Sequence, residues 1–557
     1  MITAIEIENF KGIGERVKID LKPITLLFGA NSSGKSTIIQ AIHYAREIFE
    51  RHNLDPDRTL HGGDYLDLGG FQNLVHNRDL SKPIILKFYL DLHDVDLPDY
   101  GFQNSLVTQM GDFYRGYQAD HGLYREVDID SFSREIKDAW IEISIEWSES
   151  LNPPQPQLTR YTIGLNQNEF ASIVASRDGK KVTMEDFNLN HPFIQKKEKE
   201  NNPETLGNFI YSLENLLGIV RKHSNDKSDT ISLFFNIPTQ KSALPKWGHK
   251  FEEPDLWTGV YEILYEDKHE SIQFTYLERQ EFLILLTQAM VGPGQLLRDE
   301  LRKFRYLGPI REIPPRYFEA GKSKNEFRWA NGLAAWDILS QDDKLVPIVS
   351  DWMSREDRLN TGYSLDLKKY REIESTNEVM LMLKEDRALE AIKILEEELE
   401  KLPEKKRLLL IEEKTGIEVL PPDVGVGISQ VLPVVVAALS SDEHLIAIEQ
   451  PELHIHPAIQ VALGDLFINQ IKKSDSLFLI ETHSEHLMLR LLRRIQETTE
   501  EELPSEEFSL KPDQVSVYYI KQKESNVEVI PLRIDKEGEF IDRWPHGFFD
   551  ERAEELF

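Results

Sequence analysis

HLIAIEQPELHIHP, residues 444–457, runs four apolar residues, Leu445 to Ile448, straight into Glu449, Gln450, Pro451 and Glu452. A short unbroken apolar run is the pattern of a strand buried on both faces, as in a parallel sheet covered by helices. A carboxylate at the end of such a strand is delivered to one edge of the sheet, where it can meet an oxygen-preferring cation. Taken alone, the run also fits a structural strand that merely ends in a surface Glu, so its meaning rests on what accompanies it. Gln450 poses a further question, because an amide orients water by hydrogen bonds but cannot take a proton from it as a carboxylate does.

The decisive companion is GANSSGKST, residues 29–37, which comes after apolar Ile24–Phe28 and opens a helix at Lys35. Gly29, Gly34, Lys35 and Ser36 satisfy the phosphate-loop pattern in its required strand–loop–helix setting. The backbone from Gly29 through Ala30, Asn31, Ser32, Ser33, Gly34 and Lys35 to Ser36 and Thr37 would curl its N–H groups around phosphate oxygens at a helix start. Lys35 would reach the β- and γ-phosphates, and the Ser36 hydroxyl would share Mg²⁺ with Glu449. ATP and Mg²⁺ are the expected ligands.

A third strand–loop–helix, SLFLIETHSEHLMLRLLRRI (476–495), sets His483 just past its strand, within reach of a γ-phosphate or an attacking water. DVGVGISQ (423–430) precedes an apolar helix, so its amides and the Ser429 hydroxyl could hold an anion. His454 and His456 stand beside Glu452, but an i, i+2 pair with no third ligand does not make a metal site.

Composition narrows the classes. The chain has 557 residues, no cysteine and a net charge of −31. Disulfides, thiolate metal sites and a Cys nucleophile are excluded, in keeping with a reducing cytoplasm. The overall field repels nucleic acid, so DNA contact would need a local basic surface or a partner. The longest apolar run, Val431 to Leu439, is about half of what a bilayer span needs, so no membrane role is expected.

Along the chain, residues 1–184 are expected to hold the phosphate loop and an antiparallel β subdomain, with strands at 82–92 and 139–147 and an Asp178-Gly179 turn. Residues 185–404 read as a mostly helical insertion. Ala388, Ile392, Leu395, Leu399 and Leu402 keep a 4-3-4-3 spacing there, too short a stretch for a coiled-coil arm. Residues 405–499 carry the hairpin RLLLIEEKTGIEVL, the glycine loop and the two further strand–loop–helix units. Residues 500–557 are a small C-terminal segment with an acidic linker and two strands, VSVYYIKQ and NVEVIPLRI.

The order of phosphate loop, VGVGISQ, IAIEQPELHIHP and IETHS, with IEIENFKGIG at the start, resembles ABC-type ATPases of the RecF, SMC and OLD-like branch. FRYLGPIREIPPR (304–316) and the ending WPHGFFDERAEELF look like a subgroup of prokaryotic AAA-family ATPases with a C-terminal domain of unknown function. The resemblance implies an α/β fold: a split ABC-type head, a mixed sheet plus a parallel sheet flanked by helices, carrying the insertion. It implies a homodimeric ATPase unit or higher homo-oligomer, in which Gly427, Ser429 and Gln430 of one chain reach the γ-phosphate held by Lys35 of the other. The residue after the Mg²⁺ carboxylate is commonly a glutamate in that branch, and Gln450 fills the slot. This leaves two readings: slow hydrolysis, or Glu452 acting as base from two residues on. The chain after Pro451 is expected to turn away from the nucleotide, which favours the first.

The resemblance further implies a cytoplasmic sensor ATPase for a separate effector, a nuclease above all, in anti-phage defence of the Septu-like kind. A RecF-like repair ATPase that binds DNA itself is the alternative, with RLLRRI (490–495) and LRKFRYLGPIREIPPR (301–316) as its candidate basic clusters. LVHNRD (74–79) and NLNHPF (188–193) are read as structural rather than as nuclease motifs.

Overall fold

The structure, a computed structural model, describes residues 2–59, 62, 66–100, 133–188, 190–192, 230–233, 237–239, 242–252, 260–265, 268–273, 276–316, 318, 326–374, 380–381, 401–440, 445–524 and 526–545. The 4-3-4-3 spacing falls, apart from Leu402, outside them, as does the end of the chain after Pro545.

Strands β1 (Ile2–Glu8), β2 (Val17–Asp20), β3 (Ile24–Gly29) and helix α1 (Lys35–Arg51) open the chain. Then come β4 (Ile84–Asp91), β5 (Asp138–Ser148), β6 (Gln155–Leu165), β7 (Asn168–Ala175), β8 (Val182–Asn188) and β9 (Thr230–Leu233). Except for β3, these strands form one antiparallel sheet in the order β2-β1-β4-β5-β6-β7-β8-β9. The Asp178-Gly179 turn joins β7 to β8 as expected, with Gly179 at φ +67°.

The stretch 185–404 contributes hairpin β10 (Val260–Tyr265) and β11 (Lys268–Gln273), helix α2 (Tyr276–Arg302), strand β12 (Arg305–Leu307), helices α3 (Leu333–Gln341) and α4 (Leu345–Ser354), and β13 (Tyr363–Tyr370). After it come β14 (Lys405–Glu412), β15 (Glu418–Val419), α5 (Val426–Leu439), β16 (Leu445–Glu449), α6 (Pro457–Lys473), β17 (Leu477–Glu481), α7 (Glu485–Thr499), β18 (Val515–Lys523) and β19 (Asn526–Leu532).

The second sheet runs β12-β16-β17-β3-β18-β19, parallel from β12 to β18 and closed by the β18–β19 hairpin. Three strands of this sheet come from outside the two stretches expected to form the head. β12 arises within the insertion, and β18 and β19 lie in the C-terminal segment, so neither stretch is an appendage. The reason is topological: β3 lies inside the sheet and is paired on both edges, and one of its partners, β18, comes from almost five hundred residues away.

β3, β16 and β17 are buried at every position. Their side chains alternate between two cores. Leu27, Ala447 and Leu479 face α1, α2 and the antiparallel sheet, whereas Leu26, Phe28, Ile446, Ile448, Phe478 and Ile480 face α3 to α7. The sheet is thus the middle layer, and the carboxyl ends of its parallel strands share one edge, where ligands of open α/β sheets bind.

Gly29 shows how tightly the phosphate loop is backed. It sits at φ +149°, and a Cβ there would run into the Ile520 carbonyl of β18, a backbone atom that cannot swing away. Gly29→Ala is expected to destabilise the protein by about 2–3 kcal/mol, read as a lowered urea midpoint.

Candidate functional site

The loop after β3 places Lys35 and Ser36 at the first turn of α1, with Gly34 left-handed at φ +101° just before it. A Cβ on Gly34 would press on Val527 of β19. Ala30, Asn31 and Ser32 form the exposed rim of the loop, while Ser33 and Lys35 are buried. The Lys35 ammonium donates to the carbonyls of Gly29 at 3.0 Å and Ala30 at 2.9 Å and lies 3.7 Å from Glu481 Oε1. Ser36 Oγ donates to Glu481 Oε2 at 2.8 Å. Glu481 ends β17, and register pairs it with Glu449 on one side and Leu27 on the other.

Glu449 and Glu481 are therefore neighbouring carboxylates at the ends of adjacent parallel strands. Burial, then the proximity of Glu481, pushes the Glu449 carboxyl up to about 7. Burial also raises Glu481, against the pull of Ser36 and Lys35. Lys35 is lowered by burial. Two buried carboxyls that resist joint ionisation, next to a hydroxyl, are an all-oxygen donor set suited to a hard divalent cation. The residues present fit Mg²⁺.

Gln450 lies in the same turn, at φ +46°. A left-handed non-glycine residue costs about 1–2 kcal/mol, and here it is pinned on both sides. Its N–H donates to the Glu481 carbonyl at 2.7 Å, and its carbonyl accepts from Arg311 at 3.3 Å. The Arg311 guanidinium is buried and donates at 2.6 Å to the Glu449 carbonyl as well. Tyr306 Oη, from β12, donates to Glu449 Oε1 at 3.0 Å. Arg311→Met would strand the buried Glu449 carbonyl and free the half-buried Gln450 carbonyl, and a loss of about 2–3 kcal/mol in unfolding free energy is expected by urea titration.

The chain does turn at Pro451, but Glu452 is not carried away, which corrects the expectation drawn from sequence. Its carboxylate folds back to accept from Thr482 Oγ1 and from the His483 N–H, both at 2.7 Å. Both oxygens are occupied in tying the turn after β16 to the one after β17. His483 is partly buried, and burial and Lys35 hold its imidazole below the usual range. His456 caps α6 by accepting from the Ala458 N–H, and His454 is exposed.

The glycine-loop residues divide. Gly425 and Val426 are exposed and Gly427 half-buried, but Ser429 and Gln430 point inward, against the expectation of a contact with a second subunit. The Gln430 amide donates to the Arg311 carbonyl at 2.7 Å and accepts the Arg311 N–H at 3.3 Å. Packing decides this, since α5 is apolar and buried from Ile428 onward.

The basic clusters that motivated direct DNA binding are engaged elsewhere. Arg490 and Arg494 pair with Asp465, and Arg493 with Glu497. Arg302 meets Glu50, Lys303 meets Glu300, Arg305 donates to Ser440, and Arg316 pairs with Asp423. Near LVHNRD, His76 bonds the Lys11 carbonyl, and in NLNHPF the buried His191 bonds that of Leu165, both structural roles. Leu189 and Phe193 of the latter lie outside the described residues.

Sequence reading missed Glu481, Tyr306 and Arg311 as members of the site. A signal for Glu481 was present, since LFLIE repeats the apolar-run-to-Glu pattern of LIAIE. None marked Tyr306 and Arg311, whose place depends on β12 pairing with β16.

Three family models cover most of the chain. An AAA ATPase domain matches residues 1–244, and an AAA domain described as putative AbiEii toxin, Type IV TA system, matches 251–489. A protein-of-unknown-function domain, DUF3696, matches 510–557. The chain therefore carries AAA-type ATPase domains over both of its larger parts. No curated protein matches this ATPase.

Among solved structures it is similar to an Smc head bound to the C-winged helix domain of ScpA, at 11% identity and TM-score 0.39, covering 96% of this chain and 98% of that one. An SMC head domain from Thermotoga maritima matches at 7% identity and TM-score 0.33, over 96% and 99% of the two chains. Likenesses this loose decide nothing about the site. Among the described residues, no helix of the ATPase is long and apolar enough to cross a membrane.

Proposed function

We propose that this ATPase binds ATP with Mg²⁺ at the edge where β3, β16 and β17 end, hydrolyses it slowly, and uses the nucleotide state to regulate a separate effector. One observation carries the reading: Lys35 and Ser36 of the phosphate loop converge with Glu449 and Glu481 in a single buried cluster. In it the loop amides from Gly29 to Thr37 cradle the phosphates, Lys35 turns from the Gly29 and Ala30 carbonyls to the β- and γ-phosphates, and Ser36 and Glu449 hold the cation. The cation supplies charge neutralisation across the phosphates when bound.

Gln450 orients the attacking water without taking its proton, so hydrolysis proceeds by alignment and electrostatics alone. His483, held neutral, faces the γ-phosphate. The Gly425–Gly427 turn, exposed at Gly425 and Val426, serves with the exposed Ile310 and Ile313 as the face for a second copy across the ATP. We read a homodimer glued by a long-lived nucleotide as a timer or sensor for a nuclease effector in anti-phage defence, a reading that the family resemblance of the motifs supports.

The test is ATP binding together with mass determination, with and without ATP and Mg²⁺. Saturable binding and a shift from monomer to dimer with ATP are expected. No binding, or no change of mass at saturation, sinks the reading.

A further inference from the structure

The geometry points to Glu481 as a direct ligand of the nucleotide-bound divalent cation, occupying the position beside Ser36. This inference rests on the proposed nucleotide site and deepens it. Ser36 Oγ and Glu481 Oε2 are 2.8 Å apart. Mg²⁺ holds six oxygens at about 2.0–2.1 Å in a near-ideal octahedron, so adjacent ligands lie about 2.8–3.0 Å from one another. The two oxygens thus already stand at the spacing of neighbouring octahedral positions.

The neighbours favour this assignment over a purely structural one. Glu481 is buried, yet it contacts the two loop side chains most directly concerned with phosphate and metal, Ser36 and Lys35. Its backbone is fixed as well, because its carbonyl accepts the Gln450 N–H and its strand lies between β16 and β3. Glu449, the carboxylate first expected to hold the metal with Ser36, has Oε1 committed to Tyr306. Its other oxygen would remain available to the cation, which Glu481 would hold together with Ser36 and Glu449. With ATP bound, Lys35 would pair with phosphate oxygens, and the Glu481 carboxylate, released from that ammonium, would be available to hold the divalent cation with Ser36.

The experiment uses the full chain with a non-hydrolysable ATP analogue and reads Mn²⁺ affinity by electron paramagnetic resonance, beside nucleotide binding in EDTA. Glu481→Gln should weaken Mn²⁺ by at least about tenfold in the analogue complex, while metal-free nucleotide binding does not weaken, since a carboxylate beside the phosphate loop is lost. Glu481→Asp keeps the charge and should recover part of the affinity, and it supplies the comparison if the Gln variant does not fold. Unchanged Mn²⁺ affinity in whichever variant folds overturns the assignment. Unchanged Mn²⁺ affinity with tighter metal-free binding also overturns it, identifying Glu481 as a placeholder that phosphate displaces. Failure of the wild type to bind nucleotide overturns the underlying reading, and this one with it, and is distinguishable because it appears before any variant is compared.

Discussion

Lys35→Ala is expected to lower ATP affinity by about 100-fold or more. Removing one member of a buried, hydrogen-bonded charge pair costs about 2–5 kcal/mol, and about 2.7 kcal/mol is a factor of 100 in a dissociation constant. Lys35 is almost wholly buried and is the cation closest to Glu481 among the contacts of this site. Without it, phosphate entering the loop would face Glu481 and Glu449 with no ammonium to offset them. The helix start and the loop amides would remain, so residual weak binding is expected rather than none. Isothermal calorimetry with ATP and Mg²⁺ reads the effect directly. A melting transition like that of the wild type separates it from misfolding. An affinity within a few-fold of wild type would mean that the loop is not the phosphate site.

The second large effect concerns Gln450. In single-turnover hydrolysis, Gln450→Glu should accelerate the reaction by about 100-fold or more, the usual contribution of a positioned general base. The backbone at 450 is already fixed by the Glu481 carbonyl and by Arg311, so the new carboxylate would inherit the position of the amide. Glu452→Gln should change the rate far less. Its two oxygens accept from Thr482 and His483, and replacing one with an NH₂ group breaks one of those bonds and loosens the turn without removing a proton acceptor from the water. The opposite result, a brisk wild-type rate abolished by Glu452→Gln with ATP binding intact, would make Glu452 the base and overturn the slow-switch account.

Both predictions depend on residues that sequence alone located. The phosphate loop, the run into Glu449, the Gln450 slot, Glu452 and His483 are local patterns, each a strand, a turn and a helix start, and local patterns are legible because the period of side chains and the needs of glycine turns are written in adjacent residues. The antiparallel strands from β4 to β8 and the Asp178-Gly179 turn were legible for the same reason. Orientation was not. Ser429 and Gln430 look like an anion loop in sequence, yet α5 turns them into the interior, where Gln430 clamps Arg311.

The membership of the central sheet was beyond local reading as well. β12 sits inside a stretch that reads as mostly helical, and β18 and β19 read as two strands of a C-terminal segment with no sign of the sheet they join, yet they flank the strands that carry the site. Sequence determined the local patterns that nominate Lys35, Ser36, Glu449, Gln450 and His483, but it did not single out Glu481. The tertiary structure decided which of them meet, bringing Glu481, Tyr306 and Arg311 to Glu449 and Gln450, because parallel pairing joins strands hundreds of residues apart and no local pattern records which neighbour a strand will take.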